Sequence, residues 1–145
     1  TASLAREQRL GSRLSLYGSV TSQQTNKNLD SSEKFVLGGR YGIRAYPQGE
    51  AAGDKGWLAS LELRRALMPG WQGSVFYDAG GVSINHRPYI AGTNQRRLSG
   101  YGIGLATSLD AFSVSATLAW RGGSAAPTSE RDKSPRLWVQ GTWSY

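Results

Sequence analysis

Two short segments hold the residues best placed to do chemistry: Ile43-Arg44-Ala45-Tyr46 and Phe76-Tyr77-Asp78-Ala79-Gly80. Each sets one charge among apolar neighbours, and the two charges are opposite. A charge removed from water needs a partner and further hydrogen bonds. The chemistry on offer is therefore an ion pair joining two parts of the chain, not the making or breaking of covalent bonds. On the residues alone, two unrelated surface charges, worth about 0–1 kcal/mol if they meet, are the favoured reading of the pattern.

Other candidates for chemistry are weak. With no cysteine and a single histidine, His86, the chain spells out neither a nucleophile–base pair nor a metal set, and His86 reads as a solvated loop residue. No catalytic residue, metal or cofactor is expected. Gly100-Tyr101-Gly102-Ile103-Gly104 lacks the spacing and the following helix of a nucleotide loop; its glycines at period two read as room on one face of a strand. The stretch from Gly49 to Gly56 contains Lys55 but does not match a phosphate loop.

The elements that must position Arg44 and Asp78 are strands. Leu10, Leu14, Leu16 and Val20 share one parity and Arg13, Ser15, Tyr17 and Ser19 the other; Trp57, Ala59, Leu61, Leu63 and Leu67 oppose Ser60, Glu62 and Arg64. Four more segments alternate in the same way: Trp71 to Ala79, Tyr101 to Leu105, Phe112 to Trp120 and Leu137 to Tyr145. The pattern predicts six strands of about 11 residues, long enough to cross a bilayer at a tilt, whereas soluble strands are usually about half that length. It puts Asp78 on the polar face. Arg65 breaks the alternation, and on a lipid-facing strand it belongs near the interface. Trp57, Trp71, Trp120 and Trp143 fall near strand ends on the apolar face, as in an interfacial aromatic girdle. Arg13, Arg64 and Arg121 line the other face as a cationic wall.

The connections alternate in length: long over residues 21–55, 83–97 and 122–134, short at Met68-Pro69-Gly70 and Asp110. Outer-membrane barrels have this asymmetry, and a soluble up-and-down sheet can share it. The longest loop, 21–55, contains Phe35, Val36, Leu37, Ile43 and Tyr46, which a solvated linker would lack, so it is expected to pack against something. Within it Asp30-Ser31-Ser32-Glu33 reads as a small capping box opening one helical turn, and Gly38 and Gly39 supply positive φ ahead of Arg44.

Composition sets the outer bounds. The chain of 145 residues suits one domain; its 19 glycines, five Trp and seven Tyr favour bent strands; the formal net charge is +7. Such a charge attracts nucleic acid, anionic lipid or acidic partners alike. A nucleic-acid platform would place aromatics and cations on one face, and here they mostly separate, so no nucleic acid is expected. No apolar run is long enough for a membrane helix, and residues 1–9 have no signal-peptide core, which for an exported protein reads as a mature or internal piece. Six strands are too few to close a transmembrane barrel, so further strands are expected on the N-terminal side.

Asn28-Leu29-Asp30-Ser31-Ser32-Glu33-Lys34-Phe35, Leu37-Gly38-Gly39, Ile43-Arg44-Ala45-Tyr46-Pro47-Gln48-Gly49-Glu50 and Phe76-Tyr77-Asp78-Ala79-Gly80 together resemble the outer-membrane transporters of two-partner secretion, the haemolysin secretion/activation proteins. The resemblance covers essentially the whole chain. It implies an all-β, antiparallel up-and-down transmembrane barrel, with residues 1–145 as the last six of sixteen strands and POTRA modules and other strands upstream. Loop 21–55 would then be a plug in the lumen, with Arg44 paired to Asp78 on the inner wall beside Phe76 and Gly80. The superfamily's loop tip reads Val-Arg-Gly-Phe/Tyr; Ile43 and Ala45 depart from it, and Ala45 requires a different turn if the glycine there has positive φ. The aromatic end, Trp143 and Tyr145, resembles the signal read by the barrel-assembly machinery. The implied function is export of a large haemolysin- or adhesin-type exoprotein through the outer membrane of a Gram-negative bacterium. Its partners are that exoprotein, the assembly machinery and outer-membrane lipid. The alternatives are a barrel- or autotransporter-assembly factor of the same superfamily, and a soluble β-sheet binding module.

Overall fold

Alternation over most of the chain yields one antiparallel sheet in a computed structural model that describes residues 1–89, 91–109 and 111–143. Its strands are β1 (Ala2–Arg9), β2 (Leu14–Gln23), β5 (Lys55–Met68), β6 (Trp71–Ser83), β7 (Gln95–Leu109), β8 (Phe112–Arg121) and β9 (Arg136–Trp143), each paired with the next in that order. The remaining two, β3 (Phe35–Val36) and β4 (Ala52–Gly53), pair within the long loop. No helix is found among the described residues, and Asp30-Ser31-Ser32-Glu33 forms a hydrogen-bonded turn in place of the expected helical turn.

The sheet has seven strands where the sequence pattern predicts six. Ala2–Arg9 was missed because its apolar parity is interrupted by Arg6 and Gln8, which bond to each other. The predicted first strand begins late as well: residues 10–13 make the turn between β1 and β2, and Leu14 starts the strand. The connections at this end are short, 10–13 and 69–70, whereas 24–54, 84–94 and 122–135 gather at the other. Asp110 and Tyr145 lie outside the described residues.

The two faces of the sheet differ in kind. On one, Leu61, Val75, Tyr77, Tyr101, Ile103, Phe112, Leu137 and Val139 are about half exposed and have no layer over them. On the other, Phe76, Asp78, Leu98 and Ala119 are buried under loop 24–54. Every carboxylate carried by a strand of the sheet, Glu7, Glu62 and Asp78, lies on the covered face by register. Trp57 and Trp120 stand on the bare face near the long loops, and Trp71 and Trp143 on the same face near the short turns. Arg65 is exposed on that face, opposite Leu14 and Gly73, close to the end of β5.

Candidate functional site

Loop 24–54 is ordered because it has its own apolar residues to bury. Phe35, Leu37, Ile43, Ala45 and Tyr46 join Phe76, Val82, Leu98 and Ala119 in one core. Glycines on the wall make the approach possible. A Cβ at Gly100 would lie 2.6 Å from Ala45 Cβ, and one at Gly80 2.7 Å from Leu37 Cδ2. Within the loop, Gly38 is needed for space, since a Cβ there would meet Pro47 O at 2.5 Å, and Gly39 for its φ of 127°. Ala45 takes no positive φ; the left-handed residues of the loop are Gly39, Gly49 and Ala51. The tip thus turns without needing glycine at position 45, and the Ala45 methyl packs on Gly100.

Arg44 reaches the wall through five donor contacts. Its Nε donates to Asp78 Oδ2 at 2.9 Å, Nη2 to Asp78 Oδ1 at 2.9 Å, and its backbone N to Oδ2 at 3.2 Å. Nη1 donates to Glu62 Oε2 at 2.6 Å and Nη2 to Ser60 Oγ at 3.3 Å. Ser60 Oγ donates in turn to Asp78 Oδ1 at 2.7 Å. The guanidinium lies on the Phe76 ring, with Cζ 3.3 Å from its centroid. The planar, bidentate fork suits a carboxylate as a lysine would not. With the Asp78 side chain fully buried and that of Arg44 15% exposed, each is the other's main compensation for lost hydration.

The structure brings together Ile43, Arg44, Ala45 and Tyr46 with Phe76, Asp78 and Gly80, and places Gly38 and Gly39 at the loop's entry to this core. Trp143 is apart from them, exposed at the end of β9. Several participants were not anticipated. Trp138 Nε1 donates to Arg44 O at 2.7 Å; the signal was its place on the polar parity of its strand, unlike the other four tryptophans. Ser60 and Glu62 were on the polar face, but nothing local indicated that Arg44 would bridge to them. The expected cationic wall is largely neutralised. Arg64 bonds Glu62 at 2.8 Å and stacks on Tyr17, and Arg121 bonds Asp132 at 2.8 Å.

Two further buried carboxylates of the loop tie it to its neighbours. Glu50 accepts from Thr128 N and Oγ1 at 3.0 and 2.9 Å, from Ser129 N at 2.9 Å and from Ser129 Oγ, and it pairs with Arg96. Burial opposes its charge, but the bonds from Ser129 and Thr128 outweigh burial and bring its pKa down to about 2. Asp54 accepts from His86 N at 2.7 Å and Leu29 N at 3.2 Å and pairs with Lys34 at 3.3 Å. Against the same burial cost, these bonds lower its pKa. Tyr46 Oη donates to Ala125 O at 2.7 Å. Sequence reasoning gave Glu50 and Asp54 no role; their partners include backbone amides of distant loops.

Fold and site define a β-wall with a bare apolar face and a long loop pinned to the other by a buried ion pair. The family model for the haemolysin secretion/activation protein ShlB/FhaC/HecB matches residues 1–107, and the chain belongs to this family of two-partner secretion transporters. It is similar to the heme/hemopexin transporter protein HuxB of Haemophilus influenzae strain 86-028NP, 32% identical over an alignment 112 residues long that covers 72% of this chain and 20% of HuxB. HuxB of strain ATCC 51907 / DSM 11121 / KW20 / Rd is 31% identical over the same share. Among solved structures, CdiB from Acinetobacter baumannii superposes with a TM-score of 0.69 at 27% identity, over 96% of this chain and 25% of CdiB. The chain thus spans about a fifth to a quarter of the length of these relatives.

Proposed function

We propose that these strands form part of the wall of an outer-membrane β-barrel that passes a large secreted protein to the cell surface, and that loop 24–54 is a plug held in its lumen. The observation that carries this reading is the division of the sheet into a bare apolar face without strand carboxylates and a polar face covered by the loop. A wall between lipid and an aqueous pore has that division. The lengths of the connections support the orientation, with long loops outside and short turns at the periplasm. Arg44, Asp78 and Glu62 position the plug, and the polar face offers a path to an unfolded cargo once the plug moves. No covalent step is involved.

The test is secretion by the complete transporter carrying Arg44→Ala or Asp78→Ala. Cargo at the cell surface is expected to fall severalfold, while the amount of barrel in the outer membrane stays close to wild type. Undiminished export by both variants would refute the role given to the pair.

A further inference from the structure

Near the long-loop end of the bare face, the apolar pattern stops at Trp57 on β5 and gives way to Lys55; on β7, two residues beyond Tyr101, it gives way to Ser99 and then Arg97. Register puts Trp57, Gly81 and Arg97 side by side on three adjacent strands, and Lys55, Ser83 and Gln95 in the next row. Gly81 lets its two neighbours lean together over the strand: a Cβ there would lie 3.1 Å from Trp57 Nε1 and 3.4 Å from Arg97 Cγ. The result is a recess of about 300 Å³ lined by Gln24, Lys55, Trp57, Ser83, Gln95 and Arg97. Below it Tyr101 and Trp120 stack at 6.1 Å.

Lys55 and Arg97 are the cations of this recess that stand on the bare face. Arg96, Arg121 and Arg136 each pair with a carboxylate, whereas no carboxylate stands on the bare face of any strand, and neither the Lys55 ammonium nor the Arg97 guanidinium makes an ion pair or side-chain hydrogen bond among the described residues. An uncompensated lysine and arginine on a wall that ends in an aromatic belt match the depth at which lipid phosphates lie. Arg97 offers a planar fork for phosphate oxygens, Lys55 a point charge, and the hydroxyl and amides of Ser83, Gln95 and Gln24 further polar contacts.

We infer that the recess between Trp57 and Arg97 binds the phosphate headgroup of an anionic outer-leaflet glycolipid, Lys55 and Arg97 holding the phosphate and Trp57 packing on the first carbons of its chains. This rests on the proposed membrane orientation. The complete transporter, purified in detergent, is examined by native mass spectrometry with three probes: lipid A bearing two phosphates, the same lipid with its phosphates removed, and inorganic phosphate. Retention of the phosphorylated lipid is expected to fall at least tenfold in Lys55→Gln/Arg97→Gln and in Gly81→Leu, which fills the recess, and to be unchanged in Arg65→Gln at the far end of β5. Equal retention by wild type and both recess variants, or equal retention of the two lipids, would overturn the site. So would inorganic phosphate displacing the lipid at equal concentration. Heat-modifiable gel mobility establishes folding, and single substitutions replace the double variant if it fails that check. A transporter that inserts and exports but retains no lipid A refutes this site alone; one that never reaches the outer membrane refutes the orientation.

Discussion

Replacing Asp78 by Ala removes the acceptor of three bonds from Arg44 and one from Ser60. Breaking a buried pair by deleting one partner costs about 3–5 kcal/mol, because the remaining charge is left uncompensated. The lower end applies here, since Glu62 still holds Arg44 Nη1. About 3 kcal/mol corresponds to a change of roughly 100-fold in the docking equilibrium of loop 24–54. That equilibrium can be read by hydrogen exchange at three loop amides: Gly38 N bonds Glu50 O at 2.9 Å, Ile43 N bonds Leu37 O at 2.7 Å, and Tyr46 N bonds Ile43 O at 3.0 Å. Where opening precedes exchange, these amides should exchange about 100-fold faster in the variant, with the amides of β6 and β7 unchanged. Wild-type protection of the three amides would refute the energetic role of the pair. Equal acceleration throughout the sheet would show that Asp78 supports the wall and not the docking of the loop.

Two other perturbations separate the remaining contributions. Because the pKa of folded Glu50 is about 2 against an ordinary 4.5, its stabilisation is complete above pH 4.5 and disappears as pH falls to about 2, an effect of at most ~3 kcal/mol. Glu50→Gln should therefore weaken docking at neutral pH and flatten the acid profile of loop exchange below pH 4.5, and an unaltered profile would contradict this. Gly100→Ala puts a methyl 2.6 Å from Ala45 Cβ and should cost about 1–3 kcal/mol of docking by overpacking. Adding Ala45→Gly should recover most of that loss in the same exchange assay, and a double variant no better than the single would show that the two sites do not touch.

What could be read in the sequence depended on range. Alternation gave the facing of Asp78, Tyr77 and Tyr101 directly, because a strand's period of two sends neighbours to opposite faces whatever lies around them. It missed β1, since Arg6 and Gln8 occupy positions where an apolar residue was the expected type, and strand propensity is weaker than context. The apolar content of the long loop announced that it must pack. Residue types alone did not tell where. Ser60 and Glu62 lie 16 and 18 residues from Arg44, and Trp138 lies 94 away; nothing in the local pattern links them. Glu50 and Asp54 were harder still, because their principal partners include the amides of Thr128, Ser129 and His86, and an amide carries no mark of residue type.

These carboxylates also constrain how the loop can move. Asp78 fixes the tip to the wall, Asp54 ties the loop's exit to His86 in the 84–94 connection, and Glu50, on the same returning limb, ties it to Thr128 and Ser129 in the 122–135 connection. Withdrawing the tip alone leaves Glu50 bonded, and Gly38 N to Glu50 O then holds the opposite limb of the loop in place. Displacement of the whole loop breaks three sets of charge-assisted bonds, each stronger than a neutral hydrogen bond, and uncovers Leu37, Ile43 and Tyr46, all fully buried. A loop held in this way does not open by fluctuation of its tip. Release requires either that the bonds to the 84–94 and 122–135 connections break or that those connections move with the loop; on the proposed function, a cargo acting on those connections would have purchase on the loop that a cargo touching only Arg44 would lack.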